Sequence, residues 1–84
     1  MAFPASSYVA ERDGALYVAG SDLPLESVVI PFRDGESPKG IARSFPSLSL
    51  TQLYGSLAYY LENRQLIDAY IAECRRESEL PVPR

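Results

Sequence analysis

The chain has 84 residues, with 8 Lys and Arg, 11 Asp and Glu, a formal charge of -3, no His, no Trp and one Cys. That length suits one small domain and leaves no room for a separate catalytic domain. Without His there is no Ser-His or Cys-His nucleophile pair, and both the commonest general base and the commonest metal ligand are missing. A lone Cys74 makes neither an internal disulfide nor a cysteine metal cluster, which points to a reducing compartment. The opening MAFPASS has no charged segment followed by an apolar one, and no stretch has the length of a transmembrane helix. The expectation is a cytoplasmic, non-enzymatic binding module with no cofactor and no membrane contact. Residues 1–84 read as one domain: a hairpin at 8–19, a helical bundle at 24–77 and an extended tail at 78–84.

In chain order, Tyr8–Arg12 and Ala15–Ala19 have strand propensity and flank Asp13-Gly14. That dipeptide tolerates the positive φ of a type I′ turn, so a β-hairpin is predicted. Its edges are expected to pack on helices or on a second copy, because a lone hairpin is marginal in water. Pro24 then opens a helix whose apolar face is Leu25, Val28, Val29 and Phe32. Pro31 removes a backbone donor there, so a kink or an early end is expected, with Asp34-Gly35 as the stop.

Ser37-Pro38 restarts a helix with a cap and a first-turn proline, and Pro46 ends it. Ser49-Leu50-Thr51-Gln52 is a capping-box pattern. Leu50, Leu53, Tyr54, Leu57, Ala58 and Leu61 follow at helical spacing and read as the buried stripe. Asn63 caps a last helix lined by Leu66, Ile67, Tyr70, Ile71 and Cys74. Tyr54 and Tyr70 are expected in the core, and Cys74 as a small buried hydrophobe. Tyr59 falls off the stripe and is a candidate partner-binding residue. Gly55, inside the best helix, costs about 1 kcal/mol relative to Ala and so marks a close approach, expected from another helix.

Two helices around a turn at Pro46–Ser49 have the outline of a helix-turn-helix over residues 37–62. In a DNA-binding version, Ser49, Thr51, Gln52 and Ser56 would face the bases, and Lys39, Arg43 and Arg64 the phosphates. The same outline occurs in small bundles that never meet DNA, and Gln52 is also explained as the capping-box partner. Residues 37–64 carry three bases and one acid, whereas 1–36 carry six acids and two bases. The acidity therefore lies outside the helix pair, but three cations give weak DNA binding unless a dimer doubles them. Glu73 and Glu77 read as a solvated face, and Leu80-Pro81-Val82-Pro83 as an extended segment in which Leu80 and Val82 are candidate partner contacts.

Several stretches together resemble one family, catalogued as domain of unknown function 433. They are the hairpin from Tyr8 to Gly20, Leu25–Val29 with Phe32–Gly35, Glu36–Pro38, Ile41–Pro46, Leu50–Gly55, Tyr59–Leu61 and Ile67–Tyr70, spanning about residues 8–72. The resemblance implies a mainly α, homeodomain-like helix-turn-helix bundle of about four helices preceded by a short β-hairpin. It further implies a VapB-type antitoxin of a type II toxin-antitoxin pair, neutralising a PIN-like toxin by direct binding and repressing its own operon as a homodimer. The alternatives are a transcriptional regulator without a toxin partner and a helix-turn-helix kept for protein interaction alone. The family carries Gly-Ser/Thr-Arg after the hairpin, where this chain has Gly20-Ser21-Asp22, so a phosphate-facing cation is replaced by an acid.

Overall fold

In the computed structural model, which describes residues 3–79, a two-stranded antiparallel hairpin precedes four helices. β1 is Val9–Arg12 and β2 is Ala15–Val18, with Val9 opposite Val18 and Arg12 opposite Ala15. Asp13 (φ 53°) and Gly14 (φ 81°) are both left-handed, as the type I′ turn requires.

The outward-facing groups of β2 are taken up by the chain that follows. Val18 N–H donates to the Leu23 carbonyl (2.9 Å), and Leu25 N–H donates to the Leu16 carbonyl (3.0 Å). One of the two edges expected to invite self-pairing is thereby closed.

α1 (Glu26–Arg33) buries Leu25, Val28 and Val29 and leaves Phe32 half-buried. It runs two residues past Pro31 and stops at Asp34 and Gly35 (φ 97°). The early end expected at Pro31 is thus not seen: the helix continues to the stop at Asp34-Gly35. α2 (Pro38–Ser44) begins on the Ser37 hydroxyl, which accepts from Gly40 N–H. α3 (Leu50–Glu62) begins on the predicted capping box, both of whose hydrogen bonds are present.

α4 (Arg64–Glu79) follows directly. Asn63 ends α3, turning its side-chain amide back to the Tyr59 carbonyl, while its own carbonyl accepts from Ile67 N–H at the start of α4. The helix reaches Glu79, so the predicted tail at 78–84 is corrected at its start: the backbone at Ser78 and Glu79 is helical. Residues 80–84 lie outside the described residues.

A single apolar cluster joins all layers: Val9, Leu16 and Val18 from the hairpin, Val28 and Val29 from α1, Ile41 from α2, Leu53 and Leu57 from α3, and Ile67 and Ile71 from α4. Burying each such side chain contributes about 1.5–3 kcal/mol, which is how a chain this short holds one fold. Cys74, expected as a buried hydrophobe, is half-buried against this cluster. Among the described residues, no helix is long and apolar enough to cross a membrane.

Candidate functional site

The helix pair α2–α3, joined through Phe45–Ser49, carries most of the predicted site residues. Lys39 and Arg43 are exposed on α2, and neither has an ion-pair partner among the described residues. Ser49 and Thr51 are exposed at the start of α3. These four stand in solvent, where a ligand can reach them.

Gln52 and Ser56 do not stand there in the same way. The Gln52 Oε1 accepts from Ser49 N–H (2.7 Å), and its Nε2 donates to the Ala19 carbonyl (3.0 Å). Its amide is committed to fastening α3 to the end of the hairpin. Ser56, expected to face solvent, is fully buried, and its hydroxyl donates to the Leu53 carbonyl one turn back (2.9 Å). A serine satisfied within its own helix fits a core position at little cost, so Ser56 is removed from the base-facing set.

Tyr59 is likewise corrected. It is 5% exposed, and its hydroxyl donates to the Pro4 carbonyl (2.9 Å), so it packs inward beneath the N-terminal segment. Burial, with Glu11 nearby, raises its pKa above the usual tyrosine value. Tyr60 is also buried and donates to Asp68 Oδ1 (2.9 Å), which lies 3.6 Å from Arg33. Burial and that hydrogen bond raise the Tyr60 pKa. The candidate contacts Leu80 and Val82 lie outside the described residues.

The face of α3 turned outward is rotated from the one expected: Leu53 and Leu57 are buried as read, but the rest of the stripe is not. Leu50 is 59% exposed, Tyr54 48% and Leu61 49%, and Ala58 is exposed between them. Four of the six residues read as the core stripe are thus at the surface, while Ser56, Tyr59 and Tyr60 are inside. α3 carries no charge from Leu50 to Leu61, and a helix that is largely uncharged all round does not declare its buried side by periodicity. Gly55 borders this face. A Cβ there would collide with the Tyr8 ring, so the close approach comes from the residue preceding the hairpin and not from another helix.

Asp22, the departure from the family pattern, pairs with Arg12 (3.2 Å), and the Arg12 guanidinium also donates to the Ser21 carbonyl and lies 4.0 Å over the Tyr17 ring. Arg12 is therefore engaged on the hairpin. The pair is largely solvent-exposed, so it contributes little to stability. A cleft of about 480 Å³ between hairpin tip and α4 is lined by Glu11, Asp13, Tyr70, Glu73 and Cys74. Among the described residues no three potential ligands are grouped to hold a metal ion.

Comparison with curated proteins and with solved structures gives no match. A family model described as a protein of unknown function (DUF433) matches residues 12–60, from the end of β1 through Tyr60 of α3. That span is more than half of the chain and holds the hairpin turn, the caps of α2 and α3 and the exposed Leu50, Tyr54 and Ala58 of α3, and the chain therefore belongs to the DUF433 family.

Proposed function

We propose that the chain is a non-enzymatic antitoxin of a type II toxin-antitoxin pair, neutralising a PIN-like toxin by direct binding in the cytoplasm. The observation that carries the reading is the outward face of α3. Leu50, Tyr54 and Leu61 present apolar surface on the central helix, and aromatic and aliphatic anchors of this kind are what protein partners bury. Among the described residues the helix pair carries two cations, Lys39 and Arg43 on α2, and Arg64 at the start of α4 lies over the Tyr60 ring, a thin complement for a nucleic-acid partner. Leu80 and Val82, which lie outside the described residues, are assigned to the toxin as contacts.

Co-expression with the adjacent gene product tests this. The expected result is a PIN-type protein that co-purifies with the chain through size exclusion. Separate elution of the two proteins would contradict it.

A second reading, autoregulation through DNA, is favoured by one observation: Lys39 and Arg43 are exposed, and unpaired among the described residues, as are the exposed Ser49 and Thr51 at the start of α3. In this reading residues 37–62 act as a homeodomain-like helix-turn-helix. It predicts a gel shift on the chain's own upstream region that weakens steeply with salt and is lost in a Lys39→Ala/Arg43→Ala variant. Unchanged binding by that variant would rule out this placement.

A further inference from the structure

We infer that β1 and the cleft at the hairpin tip together form a docking site for an extended protein segment that carries one Arg or Lys. The site lies on the hairpin and α4, away from the outward face of α3. It therefore stands apart from the toxin reading, and names the chemistry of a segment rather than the protein that bears it.

The first observation is the outer edge of β1. In an antiparallel pair, opposed residues alternate between those that bond each other and those whose backbone groups point outward. Leu16 and Val18 are of the outward kind: the Leu16 N–H donates to the Tyr70 hydroxyl, and the Val18 N–H to the Leu23 carbonyl. Their register partners, Glu11 and Val9, therefore turn their own N–H and C=O groups out along the far side of β1. None of these four groups has a hydrogen-bond partner among the described residues. The edge of β2 is closed by Leu23 and Leu25, whereas the edge of β1 offers a row of backbone groups to an added strand.

The second observation is what such a strand would meet. A residue laid directly opposite Glu11 projects its side chain to the same face of the sheet as Glu11. Glu11 lines the cleft of about 480 Å³ between hairpin tip and α4, together with Asp13 and with Phe3 and Tyr70, whose rings meet edge to face. Neither Glu11 nor Asp13 has an ion-pair partner among the described residues, and no Lys or Arg among them lines the cleft. The hairpin's own Arg12 is engaged by Asp22, the Ser21 carbonyl and the Tyr17 ring. Arg12 alternates with Glu11 along the strand and so projects to the opposite face.

The two observations select one kind of occupant. Backbone pairing on β1 supplies affinity without regard to sequence, and the cleft supplies the choice of side chain. An Arg or Lys there meets two carboxylates and lays its stem or guanidinium against aromatic rings. A phosphate or an acidic side chain at the same place is repelled, which sets nucleic acid aside for this face.

The test uses the isotope-labelled full chain and a peptide of about nine residues, alternating Thr and Val around one central Arg. Binding is read by amide NMR shifts and by fluorescence anisotropy. The peptide is expected to shift the amides of Val9, Glu11 and Gly14, to leave those of Leu50 and Tyr54 in place, and to saturate below about 1 mM. Replacing its Arg by Ala, or using the Glu11→Gln/Asp13→Asn chain, is expected to weaken binding about tenfold. Methylating the peptide amides that face β1 is expected to abolish it. Both chain substitutions are isosteric at exposed sites, and Asn tolerates the φ of 53° held by Asp13, so the fold is kept.

No saturable binding below about 1 mM overturns the proposal. Equal affinity of the Arg and Ala peptides, or of the wild type and the double variant, overturns the role of the cleft. Undiminished binding of the methylated peptide overturns the strand pairing. Shifts centred on α3 place the peptide on the other face and overturn the site. A doubled chain mass in light scattering, with the β1 amides shifting on dilution, shows a second copy on this edge and overturns the assignment to a basic segment. Failure here leaves the α3 reading standing, and failure of toxin co-purification leaves these outcomes unchanged.

Discussion

The hydroxyl of Tyr70 in α4 accepts a hydrogen bond from the backbone N–H of Leu16 in β2, at 2.8 Å and across 54 positions of sequence. Both groups are buried, so the hairpin and the last helix are held to each other by a polar contact inside the core. The Phe3 ring stands edge-on to the Tyr70 ring, with centroids 5.4 Å apart, and closes the outer side. Tyr70→Phe keeps the ring and leaves the Leu16 N–H without an acceptor. The expected cost is about 1–3 kcal/mol, the penalty of an unsatisfied buried donor, read as a lower urea midpoint with an unchanged slope.

The same hydroxyl makes stability fall at alkaline pH. Burial raises the Tyr70 pKa to about 12, against the Leu16 N–H, which favours the ionised oxygen. An unfolded tyrosine ionises near 10. The folded state therefore binds its proton more tightly, and this stabilisation is complete below pH 10 and lost between pH 10 and about 12. Buried Tyr59 and Tyr60 shift in the same direction. Urea midpoints measured from pH 8 to 11.5 should decline above 10, and Tyr70→Phe should flatten part of the decline.

Gly55 offers a substitution whose sign depends on its neighbour. Alanine at an ordinary helical position gains about 1 kcal/mol over glycine. Here its methyl would collide with the Tyr8 ring close to the ring's root, so Gly55→Ala should destabilise. In a Tyr8→Ala background the obstruction is gone, and the same change should stabilise by up to about 1 kcal/mol. A double-mutant cycle in urea gives both values, and a stabilising Gly55→Ala in the wild type would refute the contact.

Gln52 separates structural from base-reading work. It bonds the Ser49 N–H and the Ala19 carbonyl, so Gln52→Ala should cost about 1–2 kcal/mol in the absence of any nucleic acid. Thr51→Ala, at an exposed site with no such ties, should change stability by less than about 0.5 kcal/mol. Thermal melts of the two variants side by side check the contrast.

Much of the fold was legible because local chemistry settled it. Asp13-Gly14 could form the left-handed turn, Ser37-Pro38 could start α2, and Ser49 with Gln52 could cap α3, each with little reference to the rest of the chain. The facing of α3 was not legible. With apolar residues on every side of that helix, Leu50–Leu61 spacing fits two rotations, and the choice was made by distant groups: Asp68 for Tyr60 and the Pro4 carbonyl for Tyr59. The same rotation buried Ser56 and exposed Tyr54. Of the candidate site, the exposed cations and the two residues at the start of α3 stayed where spacing placed them. Gln52 fulfilled its capping role and also reached the hairpin, a contact that no local pattern encodes.

The proposed antitoxin role is tested most directly by viability when a PIN-type gene found beside the gene for this chain is induced, with and without the chain supplied from a second plasmid. Growth is expected to stop without the chain, to return with it, and to return less well with a Leu80→Ala/Val82→Ala variant. Growth arrest undiminished by the wild-type chain, at levels where it is soluble and folded, would contradict that role.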